Sequence, residues 1–231
     1  MQKKDIKIPS SEGKQFDCYV VAPDTKEKVP AIVLASAIHG VDQDIRDLAD
    51  SFAARGYLAA APDLFSRSVP GPLTRDDPRS QPRGQPRLEK IKDGEKDLAD
   101  TLAMLKKEPL FNGNAAVIGF CYGGPFAILG PKRLGYAAGI ACHGTQMLDY
   151  IKELEGMKKP VCIIWGDQDV MAPPPVLEAY RAAAAHQKEL DLHIFPGILH
   201  GYMMKTAPKA YDQKLYDFSM GKAFAILEGL R

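Results

Sequence analysis

Short apolar runs rich in β-branched and small residues alternate with amphipathic stretches along nearly the whole chain. That alternation constrains the fold more than any other feature. A run too short for a helix and apolar on both sides must be a strand covered on both faces, and the intervening helices are what can cover it. Residues 16–22 read as a half-buried strand and 31–35 as a fully buried one; further strands fit 57–61, 115–119, 137–142, 161–165 and 190–195. Asp42 is placed to cap a helix whose apolar face is Ile45, Leu48, Ala49, Phe52 and Ala53 and which stops at Gly56. A second helix over about 88–107 turns Ile91, Leu98, Leu102 and Leu105 inward, and others fit near 122–134, 146–155, 174–187 and 211–229. The expected class is α/β: a mostly parallel twisted sheet with helices on both faces and an antiparallel N-terminal hairpin at one edge. Neither an internal repeat nor a linker interrupts the pattern, so 1–231 read as one domain.

Composition narrows the function. Lys and Arg number 30 against 29 Asp and Glu, whereas nucleic-acid binders usually carry a clear basic excess, so no nucleic-acid partner is expected. No apolar run approaches the roughly 18 residues of a membrane span, so no membrane partner is expected either. The charged opening Met1-Gln2-Lys3-Lys4-Asp5-Ile6-Lys7 lacks the apolar stretch of a signal peptide, and the expected location is cytoplasmic. Cys18, Cys121, Cys142 and Cys162 are widely separated and form no C-x-x-C pair, which argues against a zinc ribbon or a thioredoxin-type motif.

One segment breaks the rhythm. Residues 65–88 hold five prolines (70, 72, 78, 82, 86) and five arginines (67, 75, 79, 83, 87), and proline at that density excludes regular helix or strand. So long a loop inside a compact fold is either a solvated excursion or a rim that brings arginines to a site.

The chemistry concentrates at Gly119-Phe120-Cys121-Tyr122-Gly123-Gly124, which follows the apolar strand and precedes a helical stretch. This is the G-x-nucleophile-x-G elbow with cysteine as the nucleophile; side chains at 119 or 123 would crowd the turn. A helix starting there also directs its positive end toward the sulfur. In α/β-hydrolases an acid and then a histidine follow the nucleophile, each just after a strand. Asp169 and His200 occupy those places; Asp167 is the alternative acid, and Asp169 is favoured because it leads into the segment that closes the loop. His143 also ends a strand, but the last histidine in the order is His200, while His186 and His193 fall inside a helix and a strand. A Cys142–His143 metal site lacks further ligands at sensible spacing.

The chain resembles the dienelactone hydrolase family of α/β-hydrolases over nearly its whole length. The resemblance is carried by Ala61-Pro62-Asp63-Leu64-Phe65, the elbow 119–124, the segment 166–173 and Leu199-His200-Gly201. It implies Cys121 as nucleophile, His200 as general base and then acid, Asp169 as orienting carboxylate, the N–H groups of Ile38 and Tyr122 as oxyanion hole, and a structural turn at Asp63 and Leu64. Members place a glutamate just before the oxyanion residue, where this chain has Ala37. They also grip a substrate carboxylate with two arginines; one position is Met204 here, and the other falls near Pro82, with Arg79 and Arg83 as candidates. His39, Trp165, Tyr202, Met203 and Met204 are expected around the substrate together with Tyr122. The expected reaction is hydrolysis of a small ester or lactone through a thioester, by a monomer or homodimer and with no cofactor. The alternatives are hydrolysis of other activated esters such as phosphotriesters, and a non-catalytic binding protein on the same scaffold.

Overall fold

In the computed structural model, which describes residues 1–231, eight strands form one sheet. They are β1 (Gln2–Pro9), β2 (Gln15–Ala22), β3 (Val29–Ala35), β4 (Leu58–Pro62), β5 (Phe111–Phe120), β6 (Ala138–Cys142), β7 (Val161–Gly166) and β8 (Leu190–Phe195), in the spatial order β1-β2-β4-β3-β5-β6-β7-β8. β1 and β2 pair antiparallel as a hairpin, β2 pairs antiparallel with β4, and every other pairing is parallel. This is the α/β-hydrolase fold.

Alternation along β3 shows why both faces need covering. Ala31, Val33 and Ala35 join one core, with residues of α3 (Arg87–Leu105), α4 (Phe126–Leu129) and α5 (Pro174–Ala184). Ile32 and Leu34 join the other, with α1 (Gln43–Ala54) and α6 (Gln213–Glu228). Asp42 caps α1 by accepting from the Ile45 N–H at 3.2 Å, and the five residues of its apolar face are all buried.

Three stretches differ from their expected form, one of them the helix expected near 146–155, which is wound as a 3-10 helix (Met147–Leu154). Residues 122–134 are not one helix: a 3-10 turn (Cys121–Gly123), α4 and a π-helical turn (Gly130–Leu134) follow one another. Pro125 and Pro131 explain the breaks, since neither has an N–H to continue an α-helical ladder. The proline-rich segment does contain one helical turn, α2 (Ser80–Arg83), in an otherwise irregular path.

That path is fixed from inside. The buried Asp63 carboxylate accepts from the N–H groups of Phe65 at 3.0 Å and Gly71 at 2.7 Å. Arg83, whose side chain is fully buried, lies over the Phe65 ring at 4.2 Å and donates to the Gly71 carbonyl at 2.8 Å. The Leu73 N–H donates to the His39 carbonyl at 2.9 Å, tying the segment to the loop after β3.

The strand order reverses between β3 and β5. In open parallel sheets, the crevice beyond the carboxyl ends of the strands at such a switch point is where ligands bind. Ala35 is in register with Gly119, and Phe120 with Cys142, so the loops leaving β3, β5 and β6 emerge side by side. Asp63→Ala would leave the buried Phe65 N–H and the partly buried Gly71 N–H without an acceptor, and urea denaturation is expected to show a loss of about 2 kcal/mol.

Candidate active site

Cys121 has φ +50°, a left-handed conformation that non-glycine residues rarely adopt. The glycines around it have nowhere to put a side chain. A Cβ on Gly119 would lie 2.1 Å from the Gly123 carbonyl oxygen, and one on Gly123 would lie 2.1 Å from that of Ala35. The turn is therefore pressed against the end of β3, and Cys121 is lifted to the rim of a cavity of about 230 Å³ that it lines with His200.

Asp169 and His200 come from the loops after β7 and β8. The Asp169 side chain is fully buried, and the His200 Nδ1–H donates to both of its oxygens, each at 2.9 Å. A carboxylate only accepts, so Nδ1 carries the proton and Nε2 is left for the sulfur. Asp169 also accepts from the Met171 N–H at 2.8 Å. Asp167 instead accepts from the Gly197 N–H at 2.8 Å, bridging the two loops. Burial alone would depress the His200 ring. The hydrogen-bonded Asp169 carboxylate and the nearby Cys121 sulfur outweigh it and raise the pKa to about 10.

Ile38 and Tyr122 line the same cavity. The Ile38 N–H makes no hydrogen bond within the protein, and Tyr122 is the second residue of the 3-10 turn, where N–H groups have no helical acceptor. Ala37, His39 and Met204 also line the cavity.

Five expected substrate contacts lie elsewhere. Arg79 points to solvent and pairs with Asp77 at 2.6 Å. Arg83 is spent inside the loop, as described above. The fully buried Trp165 donates its Nε1–H to the Gly144 carbonyl at 3.0 Å and sits edge-on to Tyr180, on the α5 side of the sheet. Tyr202 is buried behind His143, its hydroxyl 3.0 Å from that of Ser219. Met203 likewise belongs to the core beneath α1 and α6.

Other residues take those places. From the proline-rich segment, Arg75 reaches the cavity, and so does Arg87 at the start of α3. The arginine content of the segment was the signal for them, but spacing could not say which would turn inward. Arg87 lies over the Tyr122 ring at 4.2 Å and donates to the carbonyls of Tyr122 at 2.9 Å and Thr145 at 3.2 Å. Thr145 in turn donates its N–H to the Cys121 carbonyl at 3.0 Å. Arg87 thus clamps both sides of the elbow, and it has no carboxylate partner.

His143, set aside in the sequence because His200 comes later, is buried against His200, with ring centroids 4.9 Å apart at 80°. Its backbone is left-handed (φ +43°), and neither ring nitrogen has a hydrogen-bond partner in the protein. Burial, then the charge of His200, pushes its pKa well down, so the ring is neutral.

A second Cys–Asp–His group lies outside the cavity. Cys162 pairs in register with Asp191, and His193 is two residues further along β8, so their ligand-type atoms lie within 4.8 Å of one another. Asp191 is already 2.7 Å from the His193 ring and 2.8 Å from the Lys222 ammonium. Burial pushes the Cys162 thiol well up.

Comparison with known proteins matches residues 16–227 to the model of the dienelactone hydrolase family. The chain belongs to that family. A carboxymethylenebutenolidase of Pseudomonas putida is 26% identical over 93% of this chain and 95% of its own length. One from Pseudomonas sp. is 30% identical, over 90% of this chain and 88% of its own. The crystal structure of a putative dienelactone hydrolase from Klebsiella pneumoniae superposes with a TM-score of 0.83 at 20% identity, covering 98% of each chain. This dienelactone hydrolase family member has no helix long and apolar enough to cross a membrane.

The elbow glycines give a sharp contrast. Gly123→Ala must displace the end of β3 and is expected to lose at least about 2 kcal/mol of stability. Gly221→Ala, in α6 with open space around it, is expected to be neutral or stabilising by up to about 1 kcal/mol. Thermal melts of both variants check this.

Proposed function

We propose that the protein hydrolyses carboxylic esters or small lactones, with Cys121 as nucleophile, His200 as general acid and base, Asp169 as its orienting carboxylate, and the Ile38 and Tyr122 N–H groups as oxyanion hole. The observation that carries this is the Asp169–His200 hydrogen bond beside a cavity that Cys121 also lines. Family membership and the carboxymethylenebutenolidase relatives support the reaction class.

Chemically, the thiolate attacks the carbonyl carbon, and the oxyanion is held by the two N–H groups. The imidazolium of His200 protonates the leaving alkoxide as the tetrahedral centre collapses to a thioester. Neutral His200 then takes a proton from water, whose oxygen attacks the thioester carbon; the C–S bond breaks, expelling the Cys121 thiolate beside the protonated His200.

Activation of the sulfur needs a source here, because position 37 is Ala. Two positive groups supply it. His200, held protonated up to about pH 10, is one. Arg87, a half-buried guanidinium without a counter-anion, is the other, and buried charge is stabilised by an anion appearing nearby. The substrate is proposed to be uncharged near the reacting carbonyl, since Arg79 and Arg83 are engaged outside the cavity, Arg75 is neutralised by Asp44 at 2.8 Å, and Arg87 is turned onto the Tyr122 and Thr145 carbonyls beside the sulfur.

The main test is turnover of a panel of nitrophenyl esters and lactones, with activity expected in the wild type and lost in Cys121→Ala. Asp169→Asn, which no longer anchors the Nδ1 proton, is expected to lose about a thousandfold in kcat/KM.

Iodoacetamide alkylation reads the sulfur directly. At neutral pH the wild type is expected to react faster than His200→Gln, which lacks the cationic partner, and faster than Arg87→Met; equal rates in all three would contradict activation of the sulfur by these two charges.

A further inference from the structure

His39 is the one cavity-lining histidine whose proton position is dictated by a neighbour outside the Cys–His–Asp group. Arg75 reaches it from the proline-rich segment, with Nη1 3.2 Å from the His39 Nδ1. A guanidinium cannot accept a hydrogen bond and does not deprotonate. The contact is therefore Arg75 donating to the Nδ1 lone pair, and the proton of the neutral ring must sit on Nε2.

The arginine is itself fixed. Its Nη2 donates to the buried Asp44 at 2.8 Å, and its Nε donates to the Thr206 hydroxyl at 2.8 Å. Thr206 closes the ring by donating both its N–H and its hydroxyl to Asp44. The Leu73 N–H also holds the His39 backbone by donating to the His39 carbonyl. Protonating Nδ1 would face a proton toward a guanidinium; burial, then the charges of Arg75 and Arg83, accordingly lower the His39 pKa to about 4. The Nε2–H has no acceptor within the protein.

We propose that Asp44, Arg75 and His39 form a relay that presents a neutral Nε2–H donor to the substrate, selecting esters or lactones that carry a second, uncharged acceptor oxygen (a keto, ether or carbonyl oxygen) close to the scissile carbonyl. The location favours this. His39 follows Ile38 directly, so a donor here lies beside the carbonyl held by the oxyanion N–H rather than at the far end of the cavity. The charge balance favours an uncharged acceptor, because Asp44 offsets Arg75 and the ring itself is neutral. A site built around a donor discriminates against an analogue that leaves it unpaired.

The proposal rests on the hydrolase reading above, and its test separates the two. Turnover by the wild type of a matched pair, the nitrophenyl esters of methoxyacetate and butyrate, reads the reaction. Binding of the same pair to Cys121→Ala, with and without His39→Phe, followed by NMR titration, reads the donor with no chemistry involved. The expected result is tighter binding of the methoxyacetate ester to Cys121→Ala by roughly three- to tenfold, a preference that falls to about unity when His39→Phe is added. Arg75→Leu, which frees the tautomer, is expected to weaken the preference, whereas Arg75→Gln can still donate to Nδ1 and retain it. The ¹⁵N shifts of His39 should report Nε2–H in the wild type and a tautomer mixture in Arg75→Leu. An unchanged binding ratio in the His39→Phe background, or an Nδ1–H tautomer in the wild type, overturns the relay, whatever the turnover. Absence of ester turnover with the binding preference intact overturns the hydrolase reading and leaves the donor standing.

Discussion

The close contact between the elbow and the end of β3 is the constraint on which the site depends. Gly123 sits so near Ala35 that no side chain could intervene, and Gly119 sits equally near Gly123. These contacts hold Cys121 in a backbone conformation that costs energy, of order 1–3 kcal/mol for such a residue. They also fix the distance between two loops that must cooperate. The Ile38 N–H hangs from the same strand end that the elbow touches, so Cys121 and the N–H groups of Ile38 and Tyr122 are positioned by one rigid junction. His200 and Asp169 then need only reach over from the neighbouring strands.

The second theme is how an irregular segment becomes a rigid wall. Residues 65–88 have almost no regular structure, yet their path is pinned by side-chain bonds to backbone groups. Asp63 accepts from two N–H groups, and Arg83 fills the inside of the loop over Phe65. Proline contributes by limiting the conformations available before folding. The consequence is a division of labour among five arginines of similar spacing. Arg83 is internal, Arg79 is in solvent, and Arg67 pairs with the buried Asp97. Only Arg75 and Arg87 reach the cavity, and their charges are handled differently. Arg75 is neutralised by Asp44 and acts through its geometry. Arg87 keeps an uncompensated charge next to the elbow.

Three histidines line this cavity, and their surroundings set them apart. His200 gains a carboxylate and the sulfur, and is held as a cation. His39 gains a guanidinium and is held neutral. His143 gains only aromatic neighbours and is kept neutral by burial. Identical side chains thus differ in charge because of what the fold brings next to them.

The sequence by itself determined the order of strands and helices, the elbow, and Cys121, Asp169 and His200 in their chain order. Those features are local: alternation of apolar residues, glycines where a turn must be tight, and a charged residue just past a strand end all leave marks within a few residues. It also identified the proline-rich segment as irregular and arginine-rich. What only the tertiary structure decided is which side chains face the cavity. Trp165 and Tyr202 flank the expected loops but turn into the core, because the two-residue period of a strand and the packing of α5 and α6 set their direction. The choice of Arg75 and Arg87 over Arg79 and Arg83 depends on acceptors distant in sequence: Asp44, Thr206, Thr145 and the Tyr122 carbonyl. The tautomer of His39 depends on the same kind of long-range partner. Spacing along a chain encodes periodicity and order, but the direction of a side chain in an irregular loop is fixed by partners that only folding brings within hydrogen-bonding distance.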